Sequence, residues 1–477
     1  MSKRHSIWVP VMLALALSAA WGQDSSPQQS TGTTPDTSPQ QPAPAFGQDT
    51  PATPVSENPP ISGLDLPGLE PHAAPLSYLQ PGATFSESMD SNVDSSLGGS
   101  SFRSVTRGLG SLALQRVWSN YDLALDYLGG VGYYNAQGLG WKLEQQMDIA
   151  QKITWKRGQL AVRDSFSYLP EGTFGSAYGS IGAQNNLGVG TGSFSGLYGG
   201  TSFGSLGEVP RIMNLSLVEV SQNLTPKSAI TATGGYALTH FTGNDPFTGT
   251  TFIGSSEITA QVGYDRILTP HDQMALAYAY QGFDFSAFGT AFHSHLIQVM
   301  YGHRISGRMD FLIAAGPQIT EIRVASVQDT RLGVAGRAQV RYRFTKTMLE
   351  LSYNRFETSG SGIFAGSQSD IARLGATRPI SRVWSGFADL GFARNSRLQP
   401  VFGGGVDANT YTYGFAGVGV HRRIGREWNV FGSYQFNELS FDSSFCTAQG
   451  FTTCNRISQR HVITLGLDWT PRPIRID

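Results

Sequence analysis

The chain is poor in cysteine, poor in charge and without a long apolar run. Only Cys446 and Cys454 occur among its 477 residues. With no histidine nearby they make a poor metal site. In an exported chain their segment, SFCTAQGFTTCN, reads as a loop pinned by one disulfide, with free thiols as the alternative. Beyond the first 22 residues no stretch reaches 18 consecutive apolar residues, which excludes spanning helices. It does not exclude spanning strands, because alternation keeps mean hydropathy low. Charged residues make up 14% and the net charge is −1, which gives no argument for a nucleic-acid partner.

Residues 23–97 lack lysine and arginine altogether. Thirteen of the 24 prolines lie between Pro27 and Pro81. Ser, Thr and Gln fill the remainder without periodicity. Such a chain buries too little apolar surface to offset its ordering entropy. The composition predicts a disordered, partly polyproline arm. A short element within 64–79 and a partner-binding peptide are the alternatives. Before the arm, Lys3, Arg4 and His5 precede an apolar stretch from Ile7 to Ala19, and Ala20-Trp21-Gly22 follows. That order predicts a secretory signal over 1–22, cleaved before Gln23.

What is present is alternation. From Trp141 to Trp155 one face reads Trp141, Leu143, Gln145, Met147, Ile149, Gln151, Ile153, Trp155. The other reads Lys142, Glu144, Gln146, Asp148, Ala150, Lys152, Thr154. A period of two is an extended strand with one apolar and one wet side. Fourteen steps of roughly 3.3 Å reach about 35 Å along a membrane normal at a tilt of about 40°. That covers an apolar band of about 25 Å with a tryptophan near each headgroup level. Gln145 and Gln151 interrupt the apolar face.

The second pattern is a rhythm of connections. Short ones fall at 119–120, 157–158, 225–228, 269–272, 306–309, 345–348, 381–384 and 425–428. Long ones fall near 134–138, 170–209, 242–255, 286–291, 325–331, 358–368, 396–408 and 441–458. Short turns alternating with long loops distinguish a membrane barrel from a sandwich or propeller. Eight of each imply 17 strands, and an N-terminus on the turn side needs one more, for which 100–107 is the candidate. The predicted fold is all-β: a transmembrane antiparallel up-and-down barrel over 98–477 with about 18 strands, 16 being the next count.

A cleaved leader, many amphipathic strands, short turns against long loops and the final strand with Ile463, Leu465, Leu467 and Trp469 on one face resemble the porin-type outer-membrane β-barrels of diderm bacteria. The resemblance is architectural and covers about 98–477. It implies an outer-membrane location, assembly by the barrel-assembly machinery, a lipid bilayer around the apolar face, small polar solutes as partners and no cofactor. Its departure is the tail: Trp469 is followed by eight residues, TPRPIRID.

On this reading Lys142, Glu144, Asp148 and Lys152 line the lumen on one strand, and Arg337, Arg341 and Arg343 on another. Glu350, Ser352 and Asn354 face those arginines across a short turn. So many charges need water. A ring of 18 strands leaves an aqueous channel where eight would be filled by side chains. Trp141, Trp155 and Trp469 are the interface aromatics. The expected activity is passive passage of small polar solutes. The alternatives are a plugged adhesion or polymer-export barrel and an outer-membrane hydrolase. For the plug, residues 170–209 carry twelve glycines and five aromatics. For the hydrolase, His293-Ser294-His295 is the nearest Ser–His cluster, but alternation places the histidines with Ile297, Val299, Tyr301 and His303 as interfacial rings. Asp148 and Asp164 are expected inward on neighbouring strands. No enzyme signature and no metal site emerge, and oligomeric state is not set by these patterns.

Overall fold

The computed structural model describes residues 77–92, 102–135, 140–169, 211–242, 253–285, 289–324, 327–358, 364–398, 409–448 and 455–476. The expected signal over 1–22 and most of the arm, apart from 77–92, lie outside these residues.

The strands follow in order: β1 Tyr78–Asp90, β2 Arg103–Val117, β3 Tyr121–Tyr134, β4 Gly140–Trp155, β5 Gly158–Leu169 and β6 Arg211–Thr225. Then come β7 Ser228–Phe241, β8 Ser255–Ile267, β9 Asp272–Phe285, β10 Thr290–Ser306, β11 Met309–Val324 and β12 Val327–Arg343. The last are β13 Met348–Thr358, β14 Ser367–Pro379, β15 Trp384–Arg397, β16 Thr410–Ile424, β17 Trp428–Phe441, β18 Ile457–Trp469 and the two-residue β19 Ile474–Arg475. One short helix, α1 Ser443–Ala448, follows β17. Each of β1–β18 pairs antiparallel with its neighbour in sequence, β1 closes the ring on β18, and β19 pairs with β1. The fold is an 18-stranded up-and-down barrel with β19 as an appendix. No described helix is long and apolar enough to cross a membrane.

Alternation fixes the two faces. Thr84, Ser86, Ser88 and Asp90 are buried on the inner side of β1, while Phe85 and Met89 are each 58% exposed on the outer side. The same parity runs through β12, where Arg337 and Gln339 are buried and Val334 is exposed. Exposed large apolar side chains thus form an outer band, and the polar ones crowd inward. That is the inverse of a soluble barrel, whose apolar side chains fill the interior.

The barrel begins at Tyr78, well before the expected boundary at 98. The strand expected at 100–107 is the first part of β2, and the eighteenth strand is β1 instead. Pro81 masked it. The β1–β18 ladder starts at Ala83 and the β1–β19 pairing ends at Leu79. Pro81 sits in that gap, where a missing ladder donor is tolerated. Of the loop expected at 325–331, residues 327–331 are strand: Val324 pairs with Val327 and the β11–β12 ladder runs on to Met309–Tyr342. One interior proline does break pairing: the β10–β11 register omits Ile297 and Gln298 opposite Gly316 and Pro317. A Cβ on Gly316 would lie 1.7 Å from the Ile297 carbonyl oxygen, so only glycine fits that approach.

The tail after Trp469 lies along β1. Tyr78 pairs with Arg475, and the Gln80 side-chain amide donates to the Pro471 carbonyl at 2.9 Å. At the seam, Asp90 of β1 accepts from Arg460 of β18, Nε lying at 2.7 Å and Nη2 closer still. Both side chains are almost fully buried. A buried pair of this kind holds its two strands together only while both partners are present.

Candidate functional site

The site the sequence points to is the inner wall. Gly132, Gly130 and Asp126 of β3 pair with Lys142, Glu144 and Asp148 of β4, and Asp122 pairs with Lys152. By parity all face inward. Arg107 of β2 donates through Nε to Glu144 Oε1 at 2.9 Å and through Nη2 to the Tyr134 hydroxyl at 3.2 Å. Asp148 accepts from the Ser165 hydroxyl and from Gln146 Nε2, the latter at 3.3 Å. Its register partner Asp126 is equally buried. Two adjacent inward carboxylates make this wall locally acidic, with Lys152 further along β4 and Arg163 on β5.

The other expected group lies on β12. Arg341 Nε donates to Asp310 Oδ2 of β11 at 3.2 Å, and Arg337 Nη2 donates to Gln339 Oε1 at 3.1 Å. Gln339 Nε2 donates to Glu350 Oε1 at 2.9 Å. The expected direct pairing of Glu350 with an arginine is replaced by this amide relay, although Arg341 and Glu350 are register partners. Arg343 pairs in register with Met348 and has no carboxylate partner among the described residues. Two strands on, Arg373 Nε and Nη2 fork onto Asp389, Nε at 3.1 Å from both oxygens. In a ring of 18 strands, β12–β13 stand nine positions from β3–β4, on the opposite side of the lumen. The arginine-rich wall therefore faces the paired aspartates across the lumen. Asp126, Asp310, Arg373 and Asp389 escaped the sequence reading, although strand parity alone would have placed them inward.

The remaining candidates separate. Ser294 points inward, buried against Gln318 and Thr320, whereas His293 and His295 point outward. His293 Nδ1 meets the Tyr280 hydroxyl at 2.8 Å, and His295 Nδ1 meets the Tyr278 hydroxyl at 2.7 Å. A serine and histidines on opposite faces of one strand cannot share a proton. Asp164 is also outward, against expectation. Its strand alternates Leu160, Val162, Asp164, Phe166 and Tyr168 on the outer face, with Val162 exposed there. Among the described residues no three His, Cys, Asp or Glu side chains gather as a metal site. Trp141 and Trp155 are exposed on the outer face, Trp155 Nε1 donating to Gln222 Oε1 at 2.9 Å. Trp469 is half-buried beside Trp428, with ring centroids 6.4 Å apart. The loop 170–209, Cys454 and the side chain of Cys446 lie outside the described residues.

The rim that carries the long connections is aromatic on its inner side. Phe283 and Phe292 have ring centroids 4.5 Å apart and pack with Ile322 and Leu398. Tyr411, Phe441 and Phe445 form a second aromatic group, the last pair 4.7 Å apart. Asp442 anchors this corner. Its carboxylate accepts from the backbone N–H of Thr410 at 2.7 Å, of Asn409 at 3.0 Å and of Ser444 at 3.1 Å. Partial burial raises its pKa, but the hydrogen bonds from Ser444 and Thr410 outweigh that and hold the carboxyl below the usual range.

No protein-family model matches the chain, and no curated protein matches it. Among solved structures, OccK2 (OpdF) of Pseudomonas aeruginosa is similar over 83% of this chain and 98% of its own, with 7% identity and a TM-score of 0.42. A BenF-like porin of Pseudomonas fluorescens Pf-5 is similar over 83% and 99%, with 8% identity and a TM-score of 0.43. The ferric-catecholate import receptor Fiu of E. coli K12 is similar over 82% and 81%, with 8% identity and a TM-score of 0.40.

Proposed function

We propose that the chain is an outer-membrane channel that passes small polar solutes by passive diffusion. The observation that carries this reading is the inversion of faces: a band of exposed apolar side chains outside and charged side chains inside, around a ring of 18 strands. Charge of this density inside a barrel requires water, and a ring this wide has room for it. The arginines of β12 and β14 opposite Asp126 and Asp148 set up a transverse field that orients polar solutes and biases selectivity. In this reading residues 1–22 direct export, the barrel-assembly machinery inserts β1–β18, and Cys446 and Cys454 close one external loop.

Planar-bilayer conductance of the purified, refolded protein tests the proposal. Discrete steps are expected. Their absence, together with exclusion of small sugars and amino acids in a liposome-swelling assay, removes it. One observation favours a second reading, a barrel closed at its mouth: the inward aromatic groups of the rim, Phe283 with Phe292 and Phe364 with Tyr411. Deleting residues 172–207 separates the two. A plugged barrel gains conductance, and an open pore changes little.

A further inference from the structure

The two ends of the barrel carry opposite charge. The eight short turns hold Lys156, Arg157, Lys227, Arg308, Lys346, Arg382 and Arg426 against one acid, Glu427. All seven cations are exposed, and none has an ion-pair partner among the described residues. The nine connections at the other end hold one cation, Arg456, against six acids. Carboxylates at strand ends beside the turns are engaged elsewhere. Asp272 accepts from the Tyr301 hydroxyl at 2.6 Å, and Asp310 accepts from Arg341 Nε at 3.2 Å. The turn-side rim is therefore a ring of uncompensated positive charge.

The stretch leading into β1 has the complementary composition. Residues 43–76, which lie outside the described residues, contain Asp49, Glu57, Asp65 and Glu70 and neither lysine nor arginine. Their root is fixed at the basic end. The Val117 N–H donates to Ser77 Oγ at 3.1 Å, and the Ile476 N–H donates to the Ser77 carbonyl at 3.0 Å. The tail that holds this root adds a further exposed cation, Arg472. Eighteen strands about 4.8 Å apart, tilted about 40°, make a rim about 35 Å across. Residues 43–76 reach at most about 115 Å, so every turn lies within range. A tether of this kind holds its acids near the rim at an effective concentration on the order of millimolar.

We propose that residues 43–76 dock on the turn-side rim, their carboxylates set against the lysines and arginines of the turns. The inference goes beyond the channel reading and does not need the lumen to conduct. The chain's own segment is the occupant because sign, attachment point and reach agree. Anionic lipid headgroups or a separate acidic polymer share only the sign. Exposed ion pairs are individually weak, so several act together and salt weakens them.

The test is carbodiimide crosslinking of the purified full chain in phosphatidylcholine vesicles, whose headgroups carry no net charge. The reagent activates a carboxylate, a lysine amine in contact attacks it, and an amide forms while the reagent leaves as its urea. Amides are expected from Asp49, Glu57, Asp65 or Glu70 to Lys156, Lys227 or Lys346 within one chain, mapped by mass spectrometry. Relative to amides formed within the barrel, their yield should fall at least fivefold from about 0.1 M to about 1 M NaCl, as the screening length shrinks from about 10 to about 3 Å. Absence of these amides, or a yield indifferent to salt, overturns the inference. So do amides joining isotopically light and heavy copies. Loss of the amides in vesicles containing phosphatidylglycerol also overturns it, because lipid headgroups are then the occupant. A second measurement is cleavage after Glu57 by glutamyl endopeptidase. Replacing the seven turn cations with glutamine should speed it at least fivefold, and an unchanged rate overturns the inference. Should that variant fail to fold, the salt series on the unaltered chain still decides.

Discussion

The inner and outer faces of the same strands obey opposite rules. Inside, charges come with partners: Arg107 with Glu144, Arg341 with Asp310, Arg373 with Asp389, Arg460 with Asp90. Outside, large apolar side chains predominate, with polar exceptions such as Glu87, Asp164, His295 and the Arg355–Asp370 pair. One backbone pattern serves both, because adjacent residues point to opposite sides. The contrast identifies the two solvents. On the proposed function, water and counter-charges occupy one side and hydrocarbon the other.

The comparison can be broken most severely at the seam. Asp90→Ala leaves Arg460 buried on the inner face without its counter-charge, and such losses cost about 3–5 kcal/mol. Urea unfolding in lipid vesicles should show that loss, and Asp90→Ala/Arg460→Leu should recover part of it. Next is an error on the outer face. Val418, 52% exposed there, tolerates Val418→Arg at a cost of about 2–4 kcal/mol if it meets hydrocarbon. The same charge at Gln339 on the inner face should cost well under half as much. A Val418→Arg variant as stable as wild type would place that face in water.

Smaller effects sharpen the inner face. Replacing Arg337, Arg341 and Arg343 together with Gln should move the reversal potential under a salt gradient toward cations, with the barrel still folded. An unmoved potential would mean that ions do not pass that wall. The smallest effect is at the rim. Asp442→Ala removes the cap of α1 and the tie to Thr410, at a cost of about 1 kcal/mol. Because the folded carboxyl titrates below its unfolded value, its contribution is complete above an ordinary carboxylate pKa of about 3.9. It is lost as pH falls through the lower folded value. Melting curves between pH 7 and pH 3 should converge for wild type and Asp442→Ala at the acid end.

Much of the barrel was legible because turns and period-two faces are local signals. The eight short connections read from the chain separate the strands they were expected to separate. The faces of β4 and β12 also follow the alternation. The first strand was hidden because Pro81 and Gly82 look like arm, and only its pairing with β2 and β18 makes it a strand. Asp164 was misplaced because its charge outweighed its parity, although Leu160, Val162 and Phe166 marked the same face as outer. The long hairpin between β11 and β12 was read as loop because Gln328, Asp329 and Thr330 resemble turn chemistry. The ion pairs of the wall were beyond reach, since which arginine meets which acid depends on register between strands.

The central claim is that hydrocarbon covers one face of these strands and water the other. A spin-label scan of β12 from Val334 to Phe344 in lipid vesicles, comparing collisions with oxygen and with a water-soluble nickel chelate, tests it most directly. The account predicts a strict two-residue alternation: oxygen dominant at 334, 336, 338, 340 and 342, nickel dominant at 337, 339, 341 and 343. A scan with no alternation, or with nickel dominant on the even positions, would contradict it.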